Sequence, residues 1–220
     1  MTTHLIFIRH GQSTWNALKK WQGHANPPLS ETGIQQAYLL GQRMSTWKID
    51  HLYASDLLRA RETADILGKS LGLRPTVDPI WRERDLGEAE GLTTEEIATR
   101  FPEVWAARTL GPMAGIPGSE AHESVIRRAA LGCRELLTRH PEETIAIVTH
   151  GGMILATLVH LLDLPPSGHS LLSVGDNTSI SRVSIESGHA RLIGLNDSAH
   201  LELNQSGPGL AGTVVQDKPS

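Results

Sequence analysis

The sequence is poor in cysteine and in long apolar runs. Cys133 is the single cysteine, which excludes an intramolecular disulfide framework and a cysteine-rich zinc site. The longest apolar stretch, 153–164, is interrupted by His160 and Asp163 and falls short of the roughly 18–20 residues of a membrane span. The first residues lack a basic start and a long apolar core, so they do not resemble a signal peptide. We therefore expect a cytoplasmic protein without membrane contact.

The sequence also lacks a strong excess of one charge. Twenty Lys and Arg residues oppose 24 Asp and Glu residues, for a formal net charge of -4. This balance argues against a general nucleic-acid-binding protein. A composition of 39% hydrophobic and 20% charged residues over 220 positions is typical of a globular protein with one large domain, or one domain with an insert.

Short apolar runs alternate with segments of helical spacing. The runs at 5–8 and 144–149 are typical of strands that are buried on both faces. Shorter or weaker patterns predict further strands at 52–54, 179–185 and 190–195. Helical spacing or capping signals predict helices after Ser30 and Thr93 and over 58–71, 119–139 and 153–162.

This alternation predicts an α/β fold, a three-layer α/β/α sandwich with a mostly parallel central sheet. We expect a single domain over residues 1–204 with a small lid at about 84–122, because the Gly- and Pro-rich stretch 111–118 reads as a loop. The Gly, Pro and polar residues of 205–220 predict a flexible tail. The predicted strands between 179 and 195 offer an edge through which a homodimer could form.

Two of the predicted buried strands end in the same way. One runs into Arg9 and His10, and the other runs into His150, 140 positions after His10; each histidine precedes a glycine. In open α/β sheets, ligands bind beyond the carboxyl ends of the strands. If the two strands are neighbours, both histidines face one pocket.

The polar residues near these corners suit a dianion. Arg9 is a planar, permanently charged donor, Asn16 ends a polar loop, and Arg59 lies at another junction between a strand and a helix. Arginine guanidinium groups match the geometry of phosphate oxygens. The sequence therefore predicts a pocket for a phosphoryl group.

An ordered set of motifs spans residues 4 to 195. The motifs are Arg9-His10-Gly11, Asn16, Gln22-Gly23, Pro28-Leu29-Ser30-Glu31-Thr32-Gly33, Ser55-Asp56-Leu57-Leu58-Arg59-Ala60, Glu83-Arg84 and His150-Gly151. In this order they resemble the histidine phosphatase superfamily, the phosphoglycerate-mutase-like group.

The resemblance implies a two-step transfer of a phosphoryl group. His10 would be the nucleophile that forms a phosphohistidine, with its other ring nitrogen donating to a nearby acceptor. Arg9, Arg59 and His150 would hold the phosphoryl oxygens as charge redistributes. The substrate-binding positions would be completed by Asn16, Gln22, Gly23 and Gly151.

The same resemblance implies that Glu83 is the general acid. It would protonate the leaving oxygen and then take a proton from the attacking water. Asp85, Glu88 and Glu90 are nearby rivals for this role. The alternative interpretation of these three rivals is that they form a solvated acidic face.

The core motifs alone do not separate a phosphatase from a mutase. Only 67 positions separate Glu83 from His150, and 111–118 contains no basic residue. A lid formed by so short a segment admits water to the site, and water favours hydrolysis of the phosphohistidine. We therefore expect hydrolysis of small phosphate monoesters. The alternative is a cofactor-dependent phosphoglycerate mutase. Where phosphatase relatives carry a Gly-Glu-Ser run, Glu120 or Glu123 takes the acidic position.

Two further classes receive less support. A phosphate-binding protein without activity conflicts with the complete set of reactive residues, and a metal-dependent hydrolase lacks a closely spaced ligand pattern. We therefore expect no metal, no cofactor and a small phosphoester as the partner molecule. Trp15 and Trp21 either wall the pocket or pack in the core. The remaining histidines are interpreted as mostly surface residues: His4, His24, His51, His122, His140, His160, His169, His189 and His200.

Overall fold

A six-stranded mixed sheet forms the centre of the molecule. The computed structural model describes residues 2–107, 115–165, 168 and 171–202. The strands of the sheet are β1 (Thr2–Arg9), β2 (His51–Ala54), β3 (Thr76–Val77), β4 (Thr144–Thr149), β5 (Ile180–Glu186) and β6 (His189–Asp197). Their order is β3-β2-β4-β1-β5-β6. The first four of these are mutually parallel, whereas β5 runs antiparallel to β1 and to β6.

Helices cover both faces of the sheet. The described helices are α1 (Thr14–Ala17), α2 (Glu31–Met44), α3 (Leu58–Leu71), α4 (Thr94–Arg100), α5 (Pro102–Ala107), α6 (His122–Arg139), α7 (Gly151–Leu161) and α8 (Ala199–Glu202), with 3₁₀ turns at Pro79–Trp81 and Gly87–Ala89. In the described part of the chain, none of them combines the length and apolar character that a bilayer crossing needs.

The two central strands are buried on both faces, as their apolar runs predict. Leu5 and Phe7 of β1 point into a core cluster that includes residues of α6 and α7. Ile6 and Ile8 point the other way, into a cluster with residues of α2 and α3. The predicted three-layer α/β/α architecture, with a parallel centre, is confirmed.

Local signals place several helix starts correctly. The Ser30 side chain accepts the amide of Gly33 at the start of α2, and Thr93 forms a capping box with Glu96 at the start of α4. A side-chain acceptor at this position satisfies an amide that has no partner inside the helix. The helix predicted over 58–71 has those bounds in the structure.

Other predicted bounds were wrong. Helix α6 begins at His122 rather than at Ser119, because Ser119 closes a turn onto Ile116 and Glu120 donates its amide to Asp85. Helix α7 begins at Gly151 rather than Met153.

Several elements were not predicted from the sequence, among them α1, α5, α8 and β3. Pro102 does not only end α4; it also starts α5, since proline is tolerated in a first helical turn. Strand β3 has only two residues.

The described parts of the segment predicted as a lid form a small cluster of their own. Leu86, Ala89, Ile97 and Ile116 are buried together, with Trp21 packed against them. Residues 108–114 of this segment and the predicted tail 205–220 lie outside the described residues.

Candidate active site

The candidate site lies at the carboxyl ends of the central strands. Because β1 and β4 are parallel neighbours with Arg9 opposite Thr149, the residues that follow them, His10 and His150, lie side by side. Their ring centroids are 5.1 Å apart. The sequence prediction that the two histidines face one pocket is thus matched by the register of these strands.

His10 is buried and held at several points. Its ring Nδ1 lies 2.6 Å from the carbonyl oxygen of Gly11, which only accepts, so the ring proton is on Nδ1 and Nε2 is unprotonated. Burial lowers the pKa of His10 well below 6.5, and the charges of Arg59 and Arg9 lower it further. The imidazole is therefore neutral at neutral pH.

Arg59 is positioned next to His10 by the first turn of α3. Its Nε donates to His10 Nε2 at 3.3 Å, and its Nη1 and Nη2 donate to the carbonyl oxygens of Ala25 and Gly23, both at 2.8 Å. Burial lowers the pKa of Arg59 to about 10, so the guanidinium stays charged at neutral pH.

Arg9 approaches the same point from β1. Its Nη1 donates to the carbonyl oxygens of Val174, at 3.3 Å, and Gly175. Its buried Nε has no hydrogen-bond partner among the described residues. Burial lowers the pKa of Arg9, while Glu83 and Asp176 oppose that shift. Arg9 thus offers an uncompensated donor at the candidate site.

His150 offers a second unpaired ring nitrogen. Ser55 places its hydroxyl 2.9 Å from His150 Nε2 and also accepts the amide of Leu57. With the hydroxyl donating to Nε2, the ring proton of His150 is on Nδ1, which is buried and has no partner among the described residues. Burial, followed by the charge of Arg59, lowers the pKa of His150 well below 6.5.

Glu83 faces the start of α7. Its Oε2 accepts the amide of Gly152 at 3.0 Å and its Oε1 accepts the amide of Arg84 at 2.9 Å. A Cβ on Gly152 would lie 2.4 Å from Glu83 Oε1. Glycine at position 152 is therefore required for the carboxylate to approach the helix this closely.

The three rival carboxylates are engaged elsewhere. Glu88 pairs with Arg100 on the surface, and Asp85 lies 3.4 Å from His24 Nδ1. Glu90 accepts the amides of His24 and Ala25 and thereby shapes the loop whose carbonyls bind Arg59. Of Glu83 and these three rivals, only Glu83 lines the cavity of the candidate site.

A cavity of about 670 Å³ unites these groups. Eight of the nine predicted site residues line it: Arg9, His10, Asn16, Gln22, Gly23, Arg59, Glu83 and Gly151. His150 is absent from the lining and contacts it through the ring of His10. Asn16 is oriented by its carboxamide oxygen, which accepts from the amide and hydroxyl of Ser13. The Ser13 hydroxyl also lies 2.7 Å from Gln22 Oε1.

Much of the remaining cavity lining is aromatic, apolar or basic. Trp21, Trp105 and Leu155 supply apolar surface, whereas Lys19 and Lys20 supply positive charge. Trp15 is absent from the lining and packs against Gly91. The proposed acidic positions Glu120 and Glu123 are also absent from the lining; Glu120 instead pairs with Arg128 at 2.8 Å.

Several residues that support the site were missed. His24 Nε2 donates to the main-chain oxygen of Glu83 at 2.8 Å, and Arg128 donates to the main-chain oxygens of Ile80, Arg82 and Glu83. The sequence contains weak signals for two others. Ser55 is the first residue of the motif at 55–60, and Gly152 directly follows His150-Gly151. It contains none for Arg128, whose role depends on the packing of α6.

The interpretation of the other histidines as surface residues was partly wrong. His140 and His200 are buried, with 7% and 4% of their surface exposed, and His122 lines the cavity. His4 and His189 are exposed as expected, and His169 lies outside the described residues.

Comparison with known proteins identifies the family. The family model of the histidine phosphatase superfamily (branch 1) matches residues 5–198. The chain belongs to this superfamily. The resemblance inferred from the motifs is confirmed.

Two curated members of the superfamily carry mutase-like names. Phosphoglycerate mutase-like protein 4 of Arabidopsis thaliana is 38% identical over 156 residues, which cover 68% of this chain and 67% of that protein. The probable phosphoglycerate mutase GpmB of Yersinia enterocolitica is 31% identical over 206 residues, 90% of this chain and 95% of that protein.

Solved structures of superfamily members carry phosphatase names. A mycobacterial glucosyl-3-phosphoglycerate phosphatase is 32% identical with a TM-score of 0.83, covering 88% of this chain and 98% of its own. A phosphoserine phosphatase of Entamoeba histolytica is 29% identical with a TM-score of 0.78, covering 90% and 99%. Family and neighbours together support a hydrolase that acts on phosphate monoesters.

Proposed function

We propose that this superfamily member is a metal-independent phosphatase that hydrolyses small phosphate monoesters through a phosphohistidine on His10. The observation that carries the proposal is the state of the His10 ring. Gly11 fixes the proton on Nδ1, and burial with two nearby guanidinium groups keeps the imidazole neutral. Nε2 is thus a nucleophile at neutral pH.

Binding of the phosphoryl group uses the surrounding donors. Arg59 Nε lies 3.3 Å from His10 Nε2, so an oxygen bound there would hold phosphorus next to the nucleophile. Arg9 Nε and His150 Nδ1 are buried and have no hydrogen-bond partner among the described residues. Donors fixed before reaction stabilise the charge on the equatorial oxygens without reorganisation.

The first chemical step transfers the phosphoryl group to the enzyme. His10 Nε2 attacks phosphorus, the P–O ester bond breaks, and protonated Glu83 gives its proton to the leaving oxygen. In the second step, water gives a proton to the Glu83 carboxylate and its oxygen attacks phosphorus. The P–N bond then breaks, and inorganic phosphate leaves with Glu83 protonated again.

The charge distribution supports a mechanism without a metal ion. Arg9 and Arg59 place two cations beside His10 and His150, which supply the charge that a metal supplies in other phosphatases. The same cations repel a metal ion from these imidazoles. Hydrolysis is therefore expected to persist in EDTA.

Hydrolysis of p-nitrophenyl phosphate in EDTA, by wild type and by His10→Ala, tests this proposal. We expect release by wild type that is insensitive to EDTA and is lost in the variant. Mass spectrometry after a rapid acid-free quench should then find transient phosphate on His10. Full activity of His10→Ala, or restoration of EDTA-treated wild type only by added metal, would contradict the mechanism.

One observation favours the mutase as a second candidate. Lys19 and Lys20 bring cations to the cavity wall, where they could bind the carboxylate of a phosphoglycerate, and the curated relatives carry mutase names. A mutase would interconvert 2- and 3-phosphoglycerate and respond to 2,3-bisphosphoglycerate. We expect release of inorganic phosphate to exceed that interconversion.

A further inference from the structure

Three side chains with metal-ligating atoms meet at the end of the sheet opposite the cavity. His51, His140 and Glu143 each bring one nitrogen or oxygen to a common point, with all three atoms within 4.8 Å of one another. Glu143 Oε2 lies 2.8 Å from His51 Nε2 and 3.0 Å from His140 Nδ1. The mechanism proposed above uses none of these residues.

The fold brings the three residues together from separate elements. His51 opens β2, His140 ends α6, and Glu143 directly precedes β4. Strands β2 and β4 are hydrogen-bonded neighbours with His51 opposite Ile145. The arrangement therefore depends on the sheet register and not on one flexible loop.

A further contact orients the His140 ring. The Tyr53 hydroxyl lies 2.8 Å from His140 Nε2, on the side of the ring away from Glu143. Histidine ligands in metal sites commonly bond through their second nitrogen to such a partner, which fixes the tautomer and the ring orientation. Here it turns Nδ1 toward the His51 and Glu143 atoms.

We propose that His51 Nε2, His140 Nδ1 and Glu143 Oε2 bind a divalent first-row transition metal ion, with zinc as the matching probe. Two imidazoles and one carboxylate form a ligand set used by zinc. Metal–ligand bonds of about 2.0–2.2 Å place tetrahedral ligand atoms roughly 3–3.5 Å apart, so the two contacts of Glu143 need to widen only slightly.

The exposure of the ligands suits a fourth ligand from solvent. His140 is buried, whereas the side chains of His51 and Glu143 are 36% and 41% exposed, so a metal ion can reach them. Without a metal, His51 Nε2 and His140 Nδ1 donate to the Glu143 carboxylate. When the metal is bound, each imidazole carries its proton on its other nitrogen, and for His140 that nitrogen faces Tyr53.

The site serves stability and not catalysis. It joins the start of β2 to the turn between α6 and β4, where Glu142 adopts a positive φ of 65°, a conformation that non-glycine residues rarely adopt. A ligand that binds only the folded state raises its stability with ligand concentration. Zinc should therefore raise the unfolding temperature while phosphatase activity stays insensitive to EDTA.

The test is a zinc titration of the EDTA-treated, dialysed full-length protein. Competition with a chromophoric chelator gives stoichiometry and affinity for wild type, His51→Gln and Glu143→Gln. The control is His189→Gln, an exposed histidine outside the cluster. We expect one zinc equivalent in wild type and in the control, and at least about tenfold weaker binding in both cluster variants.

A further variant tests the site without changing any of the three proposed ligand residues. Tyr53→Phe keeps the ring but removes the hydroxyl beside His140, and it should weaken zinc binding by about 10–100-fold. Unfolding temperatures in EDTA, compared with wild type, show that each variant folds. The same stoichiometry and affinity in wild type, His51→Gln and Glu143→Gln would overturn the proposal, because zinc would then bind elsewhere.

Discussion

The Glu83 carboxylate is fixed by two main-chain amides, those of Arg84 and Gly152. Glu83→Gln keeps the size of the side chain and one of the two acceptor oxygens but removes the acidic proton. Loss of a general acid typically costs about 10²–10⁴-fold, and we expect a loss in this range for kcat/KM on alkyl phosphates. This ratio reports the steps up to transfer onto His10 and excludes the later attack of water, which also uses Glu83. For p-nitrophenyl phosphate, whose leaving group needs no proton, the loss should be much smaller. Steady-state kinetics on both substrates measure the difference, and equal losses on both would remove Glu83 from the role of acid.

Gly152 provides a steric test of the same carboxylate. In Gly152→Ala the new Cβ would overlap Glu83 Oε1, so the carboxylate must move. We expect kcat on alkyl phosphates to fall by at least about tenfold, because small displacements of catalytic groups are costly. The matched control is Gly194→Ala on β6, where the nearest atom lies 3.6 Å away. Wild-type kinetics in Gly152→Ala would contradict the close fit.

At the scale of residues, the sequence indicated the groups that we propose to react but few of the residues that position them. His10 and His150 stand out because each follows an apolar strand, and the register of β1 and β4 then brings them together. Arg128 and His24 act through contacts with main-chain oxygens near Glu83. Such contacts depend on the packing of whole elements, and no local pattern reports them.

Among the elements, α8 links the end of the described chain to His10, the proposed nucleophile. The His200 ring contacts the Thr178 hydroxyl at 2.9 Å, and the amide of Thr178 donates to the main-chain oxygen of His10 at 3.3 Å. Arg43 of α2 completes the link through Asp197 and His200.

Arg43→Met should disturb this link without touching the cavity. Loss of a partly exposed charged hydrogen bond should cost about 1–2 kcal/mol of unfolding free energy, and kcat should fall by a few fold while KM changes little. Urea unfolding and p-nitrophenyl phosphate kinetics measure both effects. Arg191→Met, an exposed arginine on β6, is the control. A stability loss with unchanged kcat would show that α8 does not position His10.

The elements that the sequence predicted well are those whose own residues carry the signal. Ser30 and Thr93 cap their helices through their own side chains, and β1 and β4 are recognisable as apolar runs. The start of α6 was misplaced because the turn at Ser119 is fixed by bonds to distant Leu86 and Asp85. Strand β3 exists because β2 offers it an edge.

For the molecule as a whole, buried neutral histidines predict sensitivity to acid. The pKa values of His10 and His150 are lowered by burial, and that of His200 is lowered to about 4. Below pH 6.5 the unfolded chain binds protons at these positions and the folded protein does not, so stability falls as pH decreases.

Each fully shifted histidine contributes up to about 1.4 kcal/mol per pH unit to this loss. Urea unfolding at pH 7, 6 and 5 should show a steady decrease in free energy. For His200, the decrease should level off below pH 4, where the folded state is protonated as well. The variant His200→Gln should show a shallower decrease, and constant stability from pH 7 to pH 5 would contradict the prediction.

The pairing of β1 with β4 also has a consequence for folding kinetics. These strands, whose ends hold His10 and His150, are separated by well over a hundred residues of chain. Closing so long a loop is entropically costly, and such non-local pairings slow folding. The two histidines come together only when β1 and β4 have paired and the intervening helices and β2 have packed against them. Recovery of enzymatic activity during refolding therefore reports the completed sheet, and partly folded chains with native-like helices remain inactive.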